Sequence, residues 1–251
     1  MLQVGIDPPT LLLEGVPAAV ADAVGVLAHP CTHQELGLLL PHLEQRWLAW
    51  LVDRLIDAGM VAAAPAEPDP SLVVLGGGAL AEAVATSVAD AGLRVTRFDP
   101  AGPTALPPRP DEPELVLLAP SAAEPDRALT DTLLREGRPH LVVRIEPDRA
   151  VVGPLVLPGQ TPCVRCQDLT RVRMDPGWPH LLAQLCRGRV EPQPGLLAWA
   201  GATAAVQVRA WLAGSLPDTC GGALELTAPD YRLSSRTWPA HPGCGCLLPP
   251  S

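Results

Sequence analysis

Four of the chain's seven cysteines stand in two tight pairs: Cys163 and Cys166 in Pro-Cys-Val-Arg-Cys, then Cys244 and Cys246 in Pro-Gly-Cys-Gly-Cys. Two intervening residues, or one, let both thiolates of a pair face a single ion, and two such pairs complete a tetrahedral Cys₄ zinc site. Four protein sulfurs leave no position for water or substrate, so the site would be structural and would pin the tail of the chain to its middle. Disulfides and unpaired thiols are the competing readings. The start of the chain, Met-Leu-Gln-Val-Gly-Ile-Asp, has no basic stretch followed by an apolar core, so no export signal argues for disulfides and zinc is expected. Structural zinc contributes roughly 10–16 kcal/mol in small sites.

A second group of residues could hold a nucleotide. Gly76-Gly77-Gly78-Ala79-Leu80-Ala81 follows the apolar run Ser71 to Leu75, and Asp99 ends the next one. A Gly-x-Gly-x-x-Ala turn with an acid about twenty residues later is the dinucleotide-type fingerprint: the glycines admit phosphate to backbone amides and the acid bonds a ribose hydroxyl. The same glycines equally serve tight strand-to-helix packing. Cys186, in Leu-Cys-Arg-Gly-Arg, could accept an acyl group if Arg187 and Arg189 lower its pKa, but no histidine lies near it in sequence and a catalytic role is not expected. Cys31 and Cys220 read as buried or incidental. The six histidines do not cluster; His241 is expected to shape the zinc loop rather than ligate the metal.

Composition narrows the chemistry. The 251 residues carry a net charge of −9, which argues against nucleic acid as a partner. Lysine and asparagine are both absent and all 18 basic residues are arginine, so no mechanism here can use a lysine ammonium. Aromatics make up 3% against 47% hydrophobic residues, which implies a core of Leu, Val and Ala. No apolar run reaches membrane-spanning length, and a cytoplasmic location without membrane attachment is expected.

The elements that must position these residues fall on either side of the Pro- and Ala-rich stretch 62–70, giving regions 1–64 and 71–251. In the first, strands at 2–6 and 10–14 flank Asp7-Pro8-Pro9. A helix over 17–27 follows, then a second helix with a Thr32/Glu35 capping box, and a third over 43–58 closed by Gly59. Leu43, Trp47, Leu51 and Leu55 lie four apart on that third helix, and Met60-Val61 suits a short strand. A hairpin and three helices form a winged-helix arrangement. Its few basic residues, Arg46 and Arg54, disfavour DNA, whereas an open hairpin edge suits capture of an extended peptide. Trp50 lies off the apolar stripe with Arg46 and Arg54 four residues to either side, and these three are the candidate peptide contacts; ordinary solvated charge is the alternative for the arginines.

The second region reads as a doubly wound α/β unit. Strands are expected at 71–75, 94–98, 115–118, 140–145 and 150–152, with a closing hairpin at 223–227 and 231–238. Helices are expected from the glycine loop to Gly92, from a Ser121/Glu124 capping box to 136, and over 195–213.

Together these features resemble the ThiF-like superfamily, which includes the ubiquitin-activating enzymes, over about residues 71 to 246. The resemblance rests on Gly76-Gly77-Gly78, on the run from Val152 through Cys163 to Cys166, and on the final His241-Pro-Gly-Cys-Gly-Cys246. With the small module in front, the chain is similar to the leader-peptide-binding cyclodehydratase component of thiazole/oxazole-modified peptide biosynthesis. The resemblance implies a winged-helix recognition module, a Rossmann-like ThiF-type domain with a Cys₄ zinc site, a precursor leader peptide as ligand, a YcaO-type cyclodehydratase as partner, and a homodimer that would bury the long apolar helix from Gly195.

Active members of the superfamily adenylate a carboxylate with ATP, using a lysine and an arginine on the phosphates, an Asn-rich segment and a later aspartate. This chain has no lysine or asparagine, and its third strand ends in Ala119-Pro120-Ser121 with no acid before Glu124. Arg97 and Arg109 could replace a lost cation only by proximity. ATP turnover is therefore not expected, Gly76, Gly78 and Asp99 read as a vestigial nucleotide loop, and a non-catalytic peptide-presenting role is expected. The alternatives are an ATP-dependent adenylyltransferase acting on a peptide C-terminus and an NAD-dependent oxidoreductase.

Overall fold

The computed structural model describes residues 2–4, 10–27, 33–61, 71–99, 106–107 and 114–247. The chain divides into two compact units, residues 1–66 and 67–251.

In the first unit, β1 (Leu2–Val4) pairs antiparallel with β2 (Leu11–Leu13), and three helices follow: α1 (Ala19–Val26), α2 (His33–Leu39) and α3 (Gln45–Asp57). Apolar residues from the second strand and all three helices meet in one core that includes Leu13, Val20, Leu36, Leu48, Leu51 and Leu55. Leu48, which the sequence reading did not place on the apolar stripe, is buried there, while Trp47 is only partly covered. The expected strand at Met60-Val61 does not form. Gly59, at φ +67°, ends α3 in a left-handed turn: its N–H donates to the Ile56 carbonyl and that of Met60 to the Leu55 carbonyl. Those two bonds spend the main chain on capping the helix rather than on a ladder. Thr32 and the Glu35 side chain lie outside the described residues.

The second unit is built on a seven-stranded mixed sheet. Its elements are β3 (Ser71–Leu75), α4 (Gly78–Asp90), β4 (Val95–Phe98), β5 (Glu114–Leu118), α5 (Arg127–Arg135), β6 (His140–Glu146), β7 (Arg149–Val156), α6 (Val164–Met174), α7 (Trp178–Leu185), α8 (Pro194–Leu212), β8 (Gly222–Thr227) and β9 (Arg232–Thr237). The sheet order is β4-β3-β5-β6-β7-β8-β9. The first four strands run parallel and the last three add antiparallel.

Every residue of β5 is buried, as a parallel strand covered on both faces requires. Leu115 and Leu117 face a core with α4 and α8, and Val116 and Leu118 face one with α5 and the start of α6. Fully burying side chains of this kind contributes ~1.5–3 kcal/mol each. Gly201 lets α8 lie close on α4, because a Cβ there would stand 2.8 Å from the Ala83 carbonyl oxygen. Leu196, Ala200, Ala204 and Val208 of α8 are buried inside the chain, while Val206 of the same helix is 61% exposed. The capping box at Ser121/Glu124 is corrected. Asp126 is the N-cap of α5, its carboxylate accepting from the Ala128 amide at 2.8 Å, and Glu124 lies in the turn before it. Helices α6 and α7 were not anticipated. Among the described residues, no helix is long and apolar enough to cross a membrane.

Candidate functional site

The cysteine cluster is assembled by a helix start and a tail turn. Strand β7 ends in a turn held by the Thr161 hydroxyl, which donates to the Leu155 carbonyl and accepts from the Leu157 amide. Cys163 then stands in extended conformation as the N-cap of α6, and Cys166 sits in the first turn, its amide 3.0 Å from the Cys163 carbonyl. In the tail, the Cys244 amide donates to the His241 carbonyl. Gly245, at φ +76°, turns the chain so that Cys246 returns to the same point.

The four sulfurs all lie within 4.8 Å of one another, with Cys163 to Cys244 at 3.5 Å and Cys166 to Cys246 at 3.4 Å. A tetrahedron with Zn–S bonds of ~2.3 Å has sulfur–sulfur edges of ~3.8 Å, so the set suits a zinc ion. Burial pushes the Cys163 thiol up, and pushes Cys244 up to about 11. Burial opposes ionisation of Cys166 as well, but hydrogen bonds from the His241 and Cys163 side outweigh it and its pKa falls. Cys163 and Cys244 thus ionise only with a cation beside them, which is what a bound metal provides. The His241 amide donates to the Cys166 sulfur at 3.3 Å, and its ring Nδ1 accepts from the Gly243 amide. His241 thus supports Cys166 through its main-chain amide and shapes the tail turn through its ring.

The glycine loop lies where the parallel strand order reverses, between β3 and β5, the position at which open α/β sheets take ligands. A cavity of about 420 Å³ opens there, lined by Gly76, Gly77, Gly78, Asp99, Ser121, Glu124, Asp126, Cys186 and Arg189, among others. At Gly76, φ is +146° and a Cβ would fall 2.0 Å from the Ala119 carbonyl oxygen, so the main chains of the two strand ends touch. A Cβ on Gly77 would stand 3.1 Å from the Asp99 carboxylate. The lining carries three carboxylates against one arginine. Arg97 is paired with Glu82, and Arg109 lies outside the described residues. Cys186 donates to the Pro125 carbonyl, and burial raises its pKa, so the lowering that Arg187 and Arg189 could have given is not found.

Glu124 is the residue the sequence reading missed. It is buried and bound by three arginines: Arg127 at 2.9 Å, Arg171 at 3.1 Å and Arg144 at 3.2 Å. Burial alone would raise its pKa; the three guanidinium charges reverse this and hold it at about 2. Arg127 extends the network to Asp168, which also accepts from the Trp178 indole. The one local signal in the sequence was Arg127, three residues on; Arg144 and Arg171 come from distant segments.

In the first unit, Trp50 is 36% exposed and meets Trp47 edge-on, ring centroids 5.6 Å apart. Arg46 pairs with Glu44 and Arg54 with Asp57, all four side chains largely in solvent. The three candidate peptide contacts therefore share one helix and an open surface, and neither arginine is committed to the core.

No protein-family model and no curated protein matches the chain. Solved structures do. A structure of the heterocyclase TruD aligns at TM-score 0.55 and 17% identity, over 86% of this chain and 36% of that one. A heterocyclase in complex with substrate and cofactor aligns at TM-score 0.58 and 17% identity, over 90% of this chain and 35% of the other. Crystalline E. coli MccB with ATP aligns at TM-score 0.55 and 14% identity, over 92% of this chain and 91% of that one. The chain thus spans about a third of the length of the heterocyclases and nearly all of MccB. At these identities the likeness is one of fold, and it holds over both units of the chain.

Proposed function

We propose that this chain binds the leader of a ribosomal precursor peptide and presents it to a YcaO-type cyclodehydratase, which would use ATP to form azolines from Cys, Ser or Thr of the core peptide. The observation that carries the non-catalytic half of this reading is the charge of the glycine-loop cavity. Adenylation builds negative charge at phosphorus and needs cations to hold it. The cavity offers Asp99 and Asp126 against Arg189, its third carboxylate, Glu124, being already paired with Arg127, Arg144 and Arg171, in a chain without lysine. Gly76 has a sufficient packing reason to be glycine, in its contact with Ala119. On this reading Gly76, Gly78 and Asp99 are a vestigial nucleotide loop.

The peptide half is supported by the small first unit. Strand β2 pairs with β1 on one side, and Leu12 is 52% exposed. A winged-helix module of this kind takes an extended leader as an added strand, with Trp50 supplying an apolar contact and Arg46 and Arg54 meeting its acidic residues. Cys163, Cys166, Cys244 and Cys246 would hold zinc, which supplies cross-linking and no reaction step. Homodimerisation and the YcaO partner come from the family resemblance.

The second reading is an ATP-dependent adenylyltransferase, favoured by the size of the glycine-loop cavity and by the fold shared with MccB. Pyrophosphate exchange separates the two. The expected result is no exchange, together with fluorescence-polarisation binding of a labelled leader from a precursor encoded beside the gene, weakened about tenfold by Trp50→Ala. Robust exchange abolished by Asp99→Ala would establish the adenylyltransferase instead.

A further inference from the structure

A second cavity, of about 310 Å³, lies between α7 and the antiparallel strands. Its lining carries Arg144, Arg149, Arg171 and Arg236 against Glu124, Glu146 and Glu225, four cations to three anions, an excess of one positive charge. Three of the four arginines are well paired. Arg149 bonds Glu146 and Glu225, Arg236 lies 3.2 Å from Glu225, and Arg171 bonds Glu124 at 3.1 Å.

Arg144 differs. Its side chain is 4% exposed, and its Nε lies 3.2 Å from Glu124 and 3.6 Å from Glu146. Yet that nitrogen, fully buried, makes no hydrogen bond to either carboxylate. Leaving that one N–H unsatisfied away from water carries a free-energy cost that an incoming acceptor would recover, while Glu124 and Glu146 remain its ion-pair partners. Burial, then the charge of Arg144, hold the pKa of Arg171 below the usual guanidinium value even with Glu124 beside it. The other wall of the cavity is apolar, formed by Trp178, Leu181 and Leu185.

We propose that this cavity binds a carboxylate-bearing ligand, its carboxylate on Arg144 at the floor and its adjoining carbon skeleton against Trp178 and Leu181. A planar guanidinium matches a carboxylate through two parallel bonds. A single excess charge suits a monoanion, and the three glutamates would oppose the second charge of a phosphate. Arg149 and Arg236, 31% and 48% exposed, form the entrance. The inference is independent of the leader-binding reading, since it concerns only the second unit.

The test uses the full chain and small probes, followed by calorimetry and by tryptophan fluorescence. N-acetyl-leucine offers a terminal carboxylate, N-acetyl-glutamic acid α-amide a side-chain one, and N-acetyl-leucinamide and inorganic phosphate are the controls. The expected result is saturable binding of one or both carboxylates at millimolar concentration, with the tighter one naming the source. The amide should not bind and phosphate should bind more weakly. Arg144→Gln should weaken binding about tenfold. Should that variant not fold, because Glu124 loses a cation, Arg236→Gln at the rim carries the test, with about fivefold weaker binding and an unchanged Tm. Equal binding of the amide, tighter binding of phosphate, no binding of either carboxylate, or wild-type affinity in Arg236→Gln would overturn the proposal.

Discussion

The Cys166 sulfur lies 3.4 Å from that of Cys246, 80 residues further along the chain. A disulfide would require ~2.05 Å and a shared metal ~3.8 Å, so the pair stands near metal-bridging distance. Closing a loop of that length by a metal constrains the unfolded chain strongly. We expect one zinc per chain by elemental analysis. Cys163→Ser and Cys244→Ser should each lose it and lower the Tm by more than 10 °C, the consequence of losing several of the ~10–16 kcal/mol that structural zinc contributes. Full-strength folding without metal would remove this anchor of the family resemblance.

Acid should destabilise the second unit in two separable windows. Buried His140 donates its Nδ1 proton to the Arg138 carbonyl, and burial lowers its pKa from 6.5 to about 4. The unfolded chain binds this proton first, so stability falls as pH drops from 6.5 towards 4, by about 3 kcal/mol. Glu124 is held at about 2 against an ordinary 4.5. Its contribution is whole above pH 4.5 and is lost between there and 2, again about 3 kcal/mol. Urea titrations across pH check both: His140→Gln should flatten the upper window, and Glu124→Gln the lower one.

Glu124→Gln should also cost ~3–5 kcal/mol at neutral pH, because it leaves three buried or half-buried guanidinium groups facing a neutral amide. Urea midpoints at pH 7 measure this directly. A loss below 1 kcal/mol would mean that the arginines find other partners.

Gly76→Ala should be severe and Asp99→Ala mild. The alanine methyl would fall 2.0 Å from the Ala119 oxygen at φ +146°, so two strand ends must separate, at a cost of ~3 kcal/mol or more. Asp99 is exposed and makes no comparable contact, so its removal should shift the Tm by no more than about 2 °C. Thermal unfolding of the two variants compares them.

Arg138 and Glu114 form a bidentate pair at 2.7 and 2.8 Å, both side chains almost wholly buried. Arg138→Met should cost ~3–5 kcal/mol by stranding the carboxylate, and adding Glu114→Gln or Glu114→Met should restore most of it. A double-mutant cycle by chemical denaturation reads the coupling.

The amino-acid sequence by itself determined the local pieces. Uninterrupted apolar runs such as Leu72 to Leu75 and Leu115 to Leu118 mark strands buried on both faces, Gly59 and the glycine loop mark a helix end and a helix start, and the spacing of Cys163 with Cys166 and Cys244 with Cys246 marks ligand pairs. These are decided by steric and periodic constraints that act within a few residues. Helices α6 and α7 escaped notice because they are held by distant partners: Asp168 by Arg127, and Trp178 by Asp168 and Arg171. Glu124 was read as a helix cap for the same reason, since a capping box is a local pattern while Arg144 and Arg171 reach it from another strand and another helix. Only the tertiary structure could decide that the buried face of α8 is covered within the chain, that Gly76 is in contact with Ala119, and that the Nε donor of Arg144 is left unused. Charges and close contacts between segments far apart in sequence depend on which surfaces the sheet brings together, and no local pattern encodes that.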